Sequence, residues 1–323
     1  MRGIAIRAGI AVGVAVIAFA VLVVVLNATV LSASGYVQGY LGALERKDAA
    51  TALQLAGELP ATSRRTDLLI DAAIVPITVI DVTSGYDVDG VTPVEVAFEV
   101  EGRTATATFL LQHDNALFGI FPIWRFAESP LASVEITVMN TTEFTANGVN
   151  LRAPAQNEAA RYLAFAPGIL NLEHESSLLV STPKTVLIES PAAPLRAVLN
   201  TEASPSFVSQ VQGEVDRYLA DCAAQQKLFP DGCPFGQDIA DRIISDPAWS
   251  IVSNPVMTLQ PTSTPGAWTT PAAPGVARLI VDVKSIYNGE IFTLDEPVPF
   301  SVGFVVTFVG ASEIVLTPVL DQG

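Results

Sequence analysis

The chain has very few of the side chains that most enzyme active sites use. Its 323 residues include two histidines and two cysteines. Histidine supplies a group that titrates near neutrality, so this scarcity leaves little room for general acid–base catalysis or for a zinc centre. The nucleophile motif Gly-x-Ser-x-Gly and glycine-rich phosphate loops are also absent from the sequence. We therefore expect no catalytic residue, no cofactor and no metal site, and we expect that the chain is not an enzyme.

Two short motifs could still carry chemistry. Ser181 and Lys184 match the Ser-x-x-Lys pattern of penicillin-binding enzymes, which place the serine at a helix start. The residues that follow are strand-like, so a chance match is favoured. His174 lies between Glu173 and Glu175, which could bind a metal weakly. In a strand the two glutamates point to the opposite side from the histidine, so a solvated turn is the favoured interpretation.

Positive charge is scarce as well. The chain has 17 Lys and Arg against 33 Asp and Glu, and Arg2 and Arg7 are the only charges before Glu45. Removing those two arginines from the 17 basic residues leaves 15 against 33 acidic residues. Such a surface repels nucleic acid, so nucleic-acid binding is not expected. Because carboxylates are abundant, a glycosidase-like carboxylate pair remains the strongest enzymatic alternative.

One long segment has no charge at all. Residues 8–26 are Ala, Val, Ile, Leu, Phe and two glycines, and a helix of this length spans roughly 28 Å, close to the thickness of a bilayer core. We predict a transmembrane anchor at residues 8–30. Both arginines precede it, which predicts a short cytoplasmic N-terminus at 1–7 and an extracytoplasmic C-terminal portion. A cleaved signal peptide, with small residues at 32–34, is the alternative.

Residues 36–128 are predicted to form an α+β domain. Apolar residues at helical spacing indicate two short helices, the second beginning after Asp48 and ending at Gly57. Glu101-Gly102-Arg103 is a plausible hairpin turn between two strands, and alternation places Glu95 and Glu99 on a solvent-facing side. The predicted strands of this domain are 74–82, 91–100, 104–111 and 119–126.

Residues 129–200 are predicted to form a small β module. A strand at 134–138 is followed by the hairpin-type turn Asn147-Gly148. Short β-like runs are predicted at 163–172, 177–180 and 184–188.

Residues 201–323 are predicted to form a second α+β domain. Ser204 is a good N-cap, Pro205 suits the first helical position, and an apolar stripe follows. A short helical stretch is predicted near 239–244. The predicted strands are 251–259, 276–287, 300–309 and 314–319, with a long Pro- and Thr-rich loop at 260–275 around Trp268.

The two α+β domains share an element order, helices and then about four strands. A local similarity supports this: the residues at 67–77 resemble those at 241–256, each with an apolar-Pro-apolar string. An internal duplication is one interpretation, and the coincidence of two ordinary α+β domains is the other.

The remaining candidate residues are the cysteines and two tryptophans. Cys222 and Cys233 are close in sequence and lie in a part predicted to be exported, so we predict a disulfide between them. Trp124 is predicted to lie on a strand, and Trp249 is expected to play the equivalent part in the segment 201–323. Core packing is the favoured role for both, and a possible pocket wall is the alternative.

Several strings resemble known families. The anchor, the helix pair YLGALERKDAATAL and the strands ending in WRF resemble the NTF2-like or cystatin-like extracytoplasmic domains of bacterial envelope proteins. VMNTTEFTANG and YLAFAPGILNL resemble the β module of TcaA-like membrane proteins, and YLADCAAQQKLFPDGCPFG resembles uncharacterised membrane-anchored proteins of actinobacteria. These resemblances imply a location and a domain style, and no reaction.

The sequence thus leads to two functional hypotheses. The first is a non-enzymatic interaction or scaffold protein, held in the cell membrane by one helix and binding an envelope protein or a cell-wall component. The alternative is a binding protein that uses an NTF2-like pocket for a small or cell-wall-derived ligand. An apolar pocket with a few convergent polar groups would favour the alternative.

Overall fold

The chain folds into a mixed α/β structure made mostly of strands, with four helices among the residues that are described. The computed structural model describes residues 2–59, 64–117, 121–191, 194–309 and 313–319. Two compact units are present. The first comprises Met1–Glu173 and Pro183–Leu199, and the second comprises His174–Thr182 and Asn200–Gly323. The predicted segments 36–128 and 129–200 therefore lie largely in one unit.

The first unit begins with three helices. The apolar segment forms α1 (Arg2–Ala28), and α2 (Ala33–Glu45) and α3 (Ala49–Ala56) follow. The predicted helix pair is confirmed. The Asp48 side chain accepts a hydrogen bond from the Thr51 backbone N–H, and Gly57 ends α3 with φ of 79°. One face of α2, including Val37, is fully buried because its apolar residues recur every three or four positions.

The helices α2 and α3 are followed by an antiparallel sheet. Its strands are β1 (Thr78–Ser84), β2 (Val91–Val100), β3 (Arg103–Leu117) and β4 (Phe121–Phe126), in the order β1-β2-β3-β4. Glu101 and Gly102 have φ of 49° and 75°, so the predicted hairpin turn is confirmed at these two residues, whereas Arg103 in β3 already pairs with Val100. The predicted start of β1 at residue 74 is wrong, because a 3-10 turn at Asp71–Ala73 and then Pro76, which has no N–H to donate, precede the sheet.

The rest of the first unit contains two smaller sheets. In one, the order is β12-β5-β8, where β5 (Leu131–Val138) pairs antiparallel with β8 (Ala159–Phe165) and parallel with β12 (Leu195–Leu199). The other has the order β11-β9-β6-β7. Its strands are β6 (Glu143–Ala146), β7 (Val149–Arg152), β9 (Gly168–Glu173) and β11 (Lys184–Ile188). The Asn147-Gly148 turn joins β6 to β7, as predicted.

The second unit combines one long helix with an antiparallel sheet. A short pair, β10 (Leu179–Ser181) and β13 (Thr201–Ala203), precedes α4 (Pro205–Ala223). Ser204 caps α4 and Pro205 occupies its first turn, as predicted. The sheet contains β14 (Arg242–Ile243), β15 (Ala248–Ser253), β16 (Gln260–Pro261), β17 (Ala267–Lys284), β18 (Ile291–Val309) and β19 (Glu313–Val319).

The main sheets of the two units share a strand order. In the second unit β14, β15 and β16 all pair antiparallel with β17, whose other side pairs with β18, which in turn pairs with β19. The three short strands thus share one side of β17, so the sheet has four positions in sequential order, like β1-β2-β3-β4. The local similarity is not matched in structure, because 74–77 lies before β1 whereas β15 includes Ile251.

The helix and the loop predicted for the second unit are wrong, and the strand predicted at 251–259 ends at Ser253. No helix forms near 239–244, because Arg242 and Ile243 pair with the end of β17 and Ile244 donates its N–H to the Asp282 carbonyl. The predicted loop at 260–275 belongs largely to β16 and β17. Trp268 is only 2% exposed in the core, and the register shift between Thr270 and Ala273 accommodates the intervening proline.

Candidate functional site

The most unusual surface of the first unit is the helix α1. Eight of its large apolar side chains are between 51% and 66% exposed: Val14, Val16, Ile17, Phe19, Val21, Leu22, Val24 and Val25. Their spacing places them on every side of the helix. Burying such a side chain is worth about 1.5–3 kcal/mol, so a helix of this composition in water is strongly unfavourable.

The apolar residues of α1 and of the helix that follows it bear on whether the chain can cross a membrane. Among the described residues no single helix is long and apolar enough to cross a membrane, but Gly13–Ala28 and Ala33–Glu45 together have the required length and composition, with a bend of 57° between them. Tyr40 and Leu41 of α2 are fully buried in the protein core. The exposed apolar surface therefore belongs to α1, and the membrane anchor stays a prediction.

The predicted disulfide is present. Cys222 near the end of α4 is bonded to Cys233, with 5.8 Å between the Cα atoms. The turn between them is held by Gln225, whose side-chain oxygen accepts from the Asp231 N–H at 2.8 Å. The Tyr218 hydroxyl also donates to the Gly232 carbonyl. The bridge therefore fixes the turn against the C-terminal end of α4.

The two tryptophans occupy packed positions. Trp124 on β4 is half-buried, stacks on His113 at a ring distance of 3.8 Å, and donates its indole N–H to the Leu31 carbonyl at 2.8 Å. Trp249 on β15 is 8% exposed and donates to the Lys227 carbonyl at 2.7 Å. Neither lines any of three cavities found among the described residues, and the pocket-wall role stays a prediction.

The two short motifs do not form catalytic arrangements in the described part of the chain. Ser181 lies in β10 and Lys184 begins β11, so no helix starts at this serine. The predicted solvated turn at His174 is wrong. This residue is only 7% exposed, its N–H donates to Ser181 Oγ at 2.6 Å, and its carbonyl accepts from the Ser181 N–H at 2.8 Å. The described residues include no cluster of ligands suited to a metal ion.

The second unit has a groove between its helix and its sheet, with a volume of about 230 Å³. Its floor is apolar, formed by Phe304 and by β19 residues such as Leu316, and its helical rim carries Glu214, Arg217 and Asp221. Arg217 forms an ion pair with Glu214, so the rim is acidic overall. Such a groove suits an apolar ligand that carries a positive charge.

Tyr218 lies between the floor and the rim of this groove. Its ring meets Phe304 edge to face at 5.5 Å. Burial raises the pKa of Tyr218 above its usual value, so the phenol stays neutral at physiological pH.

The first unit has a cavity of about 260 Å³ lined by three arginines. Glu135 on β5 lies opposite Arg161 on β8 and Arg196 on β12. The Glu135 carboxylate is 3.4 Å from Arg161 Nε and 3.3 Å from Arg196 Nε. Arg64 is the third arginine, and its Nε is buried without a hydrogen-bond partner among the described residues. The cavity thus holds three positive charges and one negative charge.

Sequence reasoning missed this arginine cavity. Its charged residues are spread over 132 positions from Arg64 to Arg196, and they meet only through the register of three strands. The sequence contains a partial indication of the cavity, because Glu135 and Arg161 both lie in runs of β-forming residues. The pairing of β12 with β5 is parallel and cannot be read from a local turn.

Comparisons with models of protein families, with curated protein sequences and with solved structures find no match for this chain.

Proposed function

We propose that the chain is a non-enzymatic interaction or scaffold protein, anchored in the cell membrane by α1, with the residues after α1 outside the cytoplasm. The observation that carries this proposal is the apolar, exposed surface on all sides of α1. A bilayer core would cover that surface, whereas water would not. Arg2 and Arg7 at the start of the helix favour a cytoplasmic N-terminus.

The position of Trp124 supports the same arrangement. Its indole bonds to Leu31, three residues beyond the end of α1. Tryptophan is enriched where a membrane meets water, because its ring is apolar and its N–H is polar. This placement suits a residue at the outer end of a membrane helix.

Labelling of introduced cysteines on intact cells tests the orientation. Arg103→Cys and Ser263→Cys place a thiol at exposed positions in the first and second units. We expect both to react with a membrane-impermeant thiol reagent on whole cells. Ile4→Cys is the matched control and should react only after lysis. Labelling of the first two variants only after lysis would refute the orientation.

The absence of catalysis is a separate part of the proposal. Its support is that Glu95 and Glu99 are exposed on β2 and that His113 is stacked on Trp124. We expect the purified chain to leave peptidoglycan fragments uncut. Turnover that disappears when one Asp or Glu is changed, in a variant that still folds, would contradict this part.

For the domain style, we propose two helix-plus-sheet domains of NTF2-like or cystatin-like type, at 36–128 and 201–323, flanking a small β module at 129–200. The shared strand order of the two main sheets supports this assignment and is consistent with a duplication. An experimental structure whose two main sheets fail to superpose in that order would count against it.

The partner of a scaffold of this kind is proposed to be an envelope protein or a cell-wall component. Its acidic surface, with 15 basic against 33 acidic residues after Arg7, favours cationic or neutral partners. Cross-linking on intact cells, followed by capture of the full chain, identifies the partner. Capture of cytoplasmic proteins alone would contradict the location.

The second candidate function is ligand binding, and the groove of the second unit favours it. Its apolar floor and acidic rim suit a small or cell-wall-derived ligand with an amino group. Titration of the full chain with muropeptides that carry a free amine tests this. We expect Asp221→Asn and Leu316→Trp to weaken binding, and Glu296→Gln, at an exposed position of β18, to leave it unchanged. Equal effects of all three changes would contradict a site in the groove.

A further inference from the structure

The arginine cavity of the first unit contains a cluster of charged side chains that belongs neither to the anchor nor to the groove. Its charged side chains form a row across neighbouring strands, with Glu135 between Arg161 and Arg196. Arg64 extends the row, because the adjacent Arg65 forms a parallel bridge with Tyr162 at the edge of β8. The Arg65 N–H donates to the Arg161 carbonyl at 2.9 Å, which holds this segment in place.

The positive charges of the row outnumber the negative charge that could pair with them. One carboxylate faces three guanidinium groups, and no other acidic residue lines the cavity in the described part of the chain. Three of the 15 basic residues that follow Arg7 therefore meet in one concavity of a strongly acidic chain. Like charges repel, and a bound anion would relieve this repulsion.

The hydrogen-bonding groups of the row are also incompletely used. Arg161 and Arg196 contact Glu135 through Nε, and their side chains are 64% and 81% exposed, so their terminal nitrogens can be reached by an anion from solvent. The buried Nε of Arg64 has no hydrogen-bond partner in the described part of the chain. A buried donor without an acceptor is costly, and an oxyanion would satisfy it. Guanidinium groups match the geometry of carboxylate and phosphate oxygens.

We propose that this cavity binds a small oxyanion with a charge near −2, either a dicarboxylate or a phosphate monoester, through Arg64, Arg161 and Arg196. Glu135 holds two of the arginines at a fixed spacing and lowers the affinity by its own charge. The cavity volume of about 260 Å³ lies just below the range of about 300–1,000 Å³ usual for small-molecule sites. This inference goes beyond the proposed scaffold function and does not depend on it.

Calorimetric titration of the full chain in a neutral detergent tests the proposal. The probes are inorganic phosphate and succinate at low chloride, because salt screens exposed charges. We expect saturable binding of one ion per chain for at least one probe. The probe that binds more tightly assigns the ligand class. Absence of saturable binding for both probes would overturn the proposal.

Variants distinguish binding at a specific site from a general effect of the net charge of the chain. Arg161→Gln and Arg196→Gln should weaken binding by about tenfold or more, as expected for the loss of a charge-assisted hydrogen bond. Arg152→Gln is the matched control, since it removes one positive charge from an exposed ion pair on β7 in the same unit. It should leave the affinity unchanged, and an equal loss in Arg152→Gln would overturn the proposal.

A further variant is expected to raise the affinity for the anion. Glu135→Gln removes the competing carboxylate and releases both neighbouring arginines, so we expect tighter binding. If Arg161→Gln fails to fold, Arg196→Gln still decides the outcome, because the Arg196 side chain is 81% exposed and supports little packing. Weaker binding in a folded Glu135→Gln variant would contradict the assigned role of the arginines.

Discussion

The hydroxyl of Tyr40 on α2 donates a hydrogen bond of 3.0 Å to the backbone carbonyl of Ala166, 126 residues further along the chain. Tyr40 is fully buried, and its ring meets Phe126 edge to face at 5.4 Å. Burial raises the pKa of Tyr40 far above its usual value, so the hydroxyl remains protonated and remains a donor. One side chain therefore joins the helix pair to the turn between β8 and β9.

Removing this hydroxyl should destabilise the first unit. Tyr40→Phe leaves the buried Ala166 carbonyl without its donor, which costs about 1–2 kcal/mol. Chemical denaturation of the full chain in detergent, followed by near-ultraviolet circular dichroism, measures the change. Tyr86→Phe, at a side chain that is 93% exposed, is the control and should have no effect. Equal stability of the two variants would show that the bond contributes nothing.

The disulfide should stabilise the second unit. Closing a loop between residues 11 positions apart is worth roughly 3 kcal/mol in the chain-entropy model. We expect Cys222→Ala with Cys233→Ala to lower the free energy of unfolding by about that amount. Intact mass without reductant should be two hydrogens below that of the reduced chain. Free alkylation of both thiols in the purified oxidised chain would contradict the bridge.

The contribution of the α4 cap to stability should be measurable by removing one hydroxyl group. Ser204 Oγ accepts from the Phe207 N–H at 3.1 Å and donates to the Ser177 carbonyl at 2.6 Å. Ser204→Ala removes both bonds and should cost about 1 kcal/mol, with an upper limit of about 2 kcal/mol. Thermal unfolding of the second unit is the measurement. Ser209→Ala, at an exposed position within α4, should be neutral or slightly stabilising.

Acid should weaken the segment that carries the arginine cavity. Arg65 Nε and one terminal nitrogen donate to the two Asp67 oxygens at 3.0 Å, and these hydrogen bonds lower the pKa of Asp67. A lowered pKa in the folded state means that the stabilisation is present above the unfolded pKa of about 3.9 and is lost as the pH falls through the folded value.

Asp67→Asn tests this pH dependence. After allowance for solvent screening of a pair that is about one-third exposed, the variant should be less stable than the parent by about 0.5–1 kcal/mol at pH 7. The difference should shrink as the pH falls below about 4. Glu95→Gln, at an exposed position of β2, is the control. A difference that stays constant from pH 7 to pH 3 would contradict the ion pair.

Local signals in the sequence predicted the elements whose ends depend on local chemistry. Asp48 and Ser204 cap helices through bonds to residues three positions away, and β2 has the predicted bounds because alternation sets its buried face. The errors arise where a distant strand decides the conformation. Ile243 is in a strand because β17 is beside it, and Trp268 is buried because Phe207 on α4 packs against it at 5.8 Å.

The same reasoning explains why the sites were only partly predictable. The anchor depends on composition within one segment, and the disulfide on two cysteines near each other in sequence. The arginine cavity requires the parallel register of Arg196 with Glu135, which no local pattern specifies. The groove beneath Tyr218 requires the distance between α4 and β19, which packing alone determines.

The divided edge of the second sheet has a consequence for hydrogen exchange. On one side β17 pairs with β18 along nearly its whole length, while on the other it pairs in three short pieces, around Trp268, Leu279 and Val283. Amides directed toward β18 should take up deuterium slowly, and those directed toward the gap between Thr269 and Val276 should exchange sooner. Mass spectrometry of peptides from 267–284 should therefore give a biphasic uptake curve for a strand that forms one continuous element.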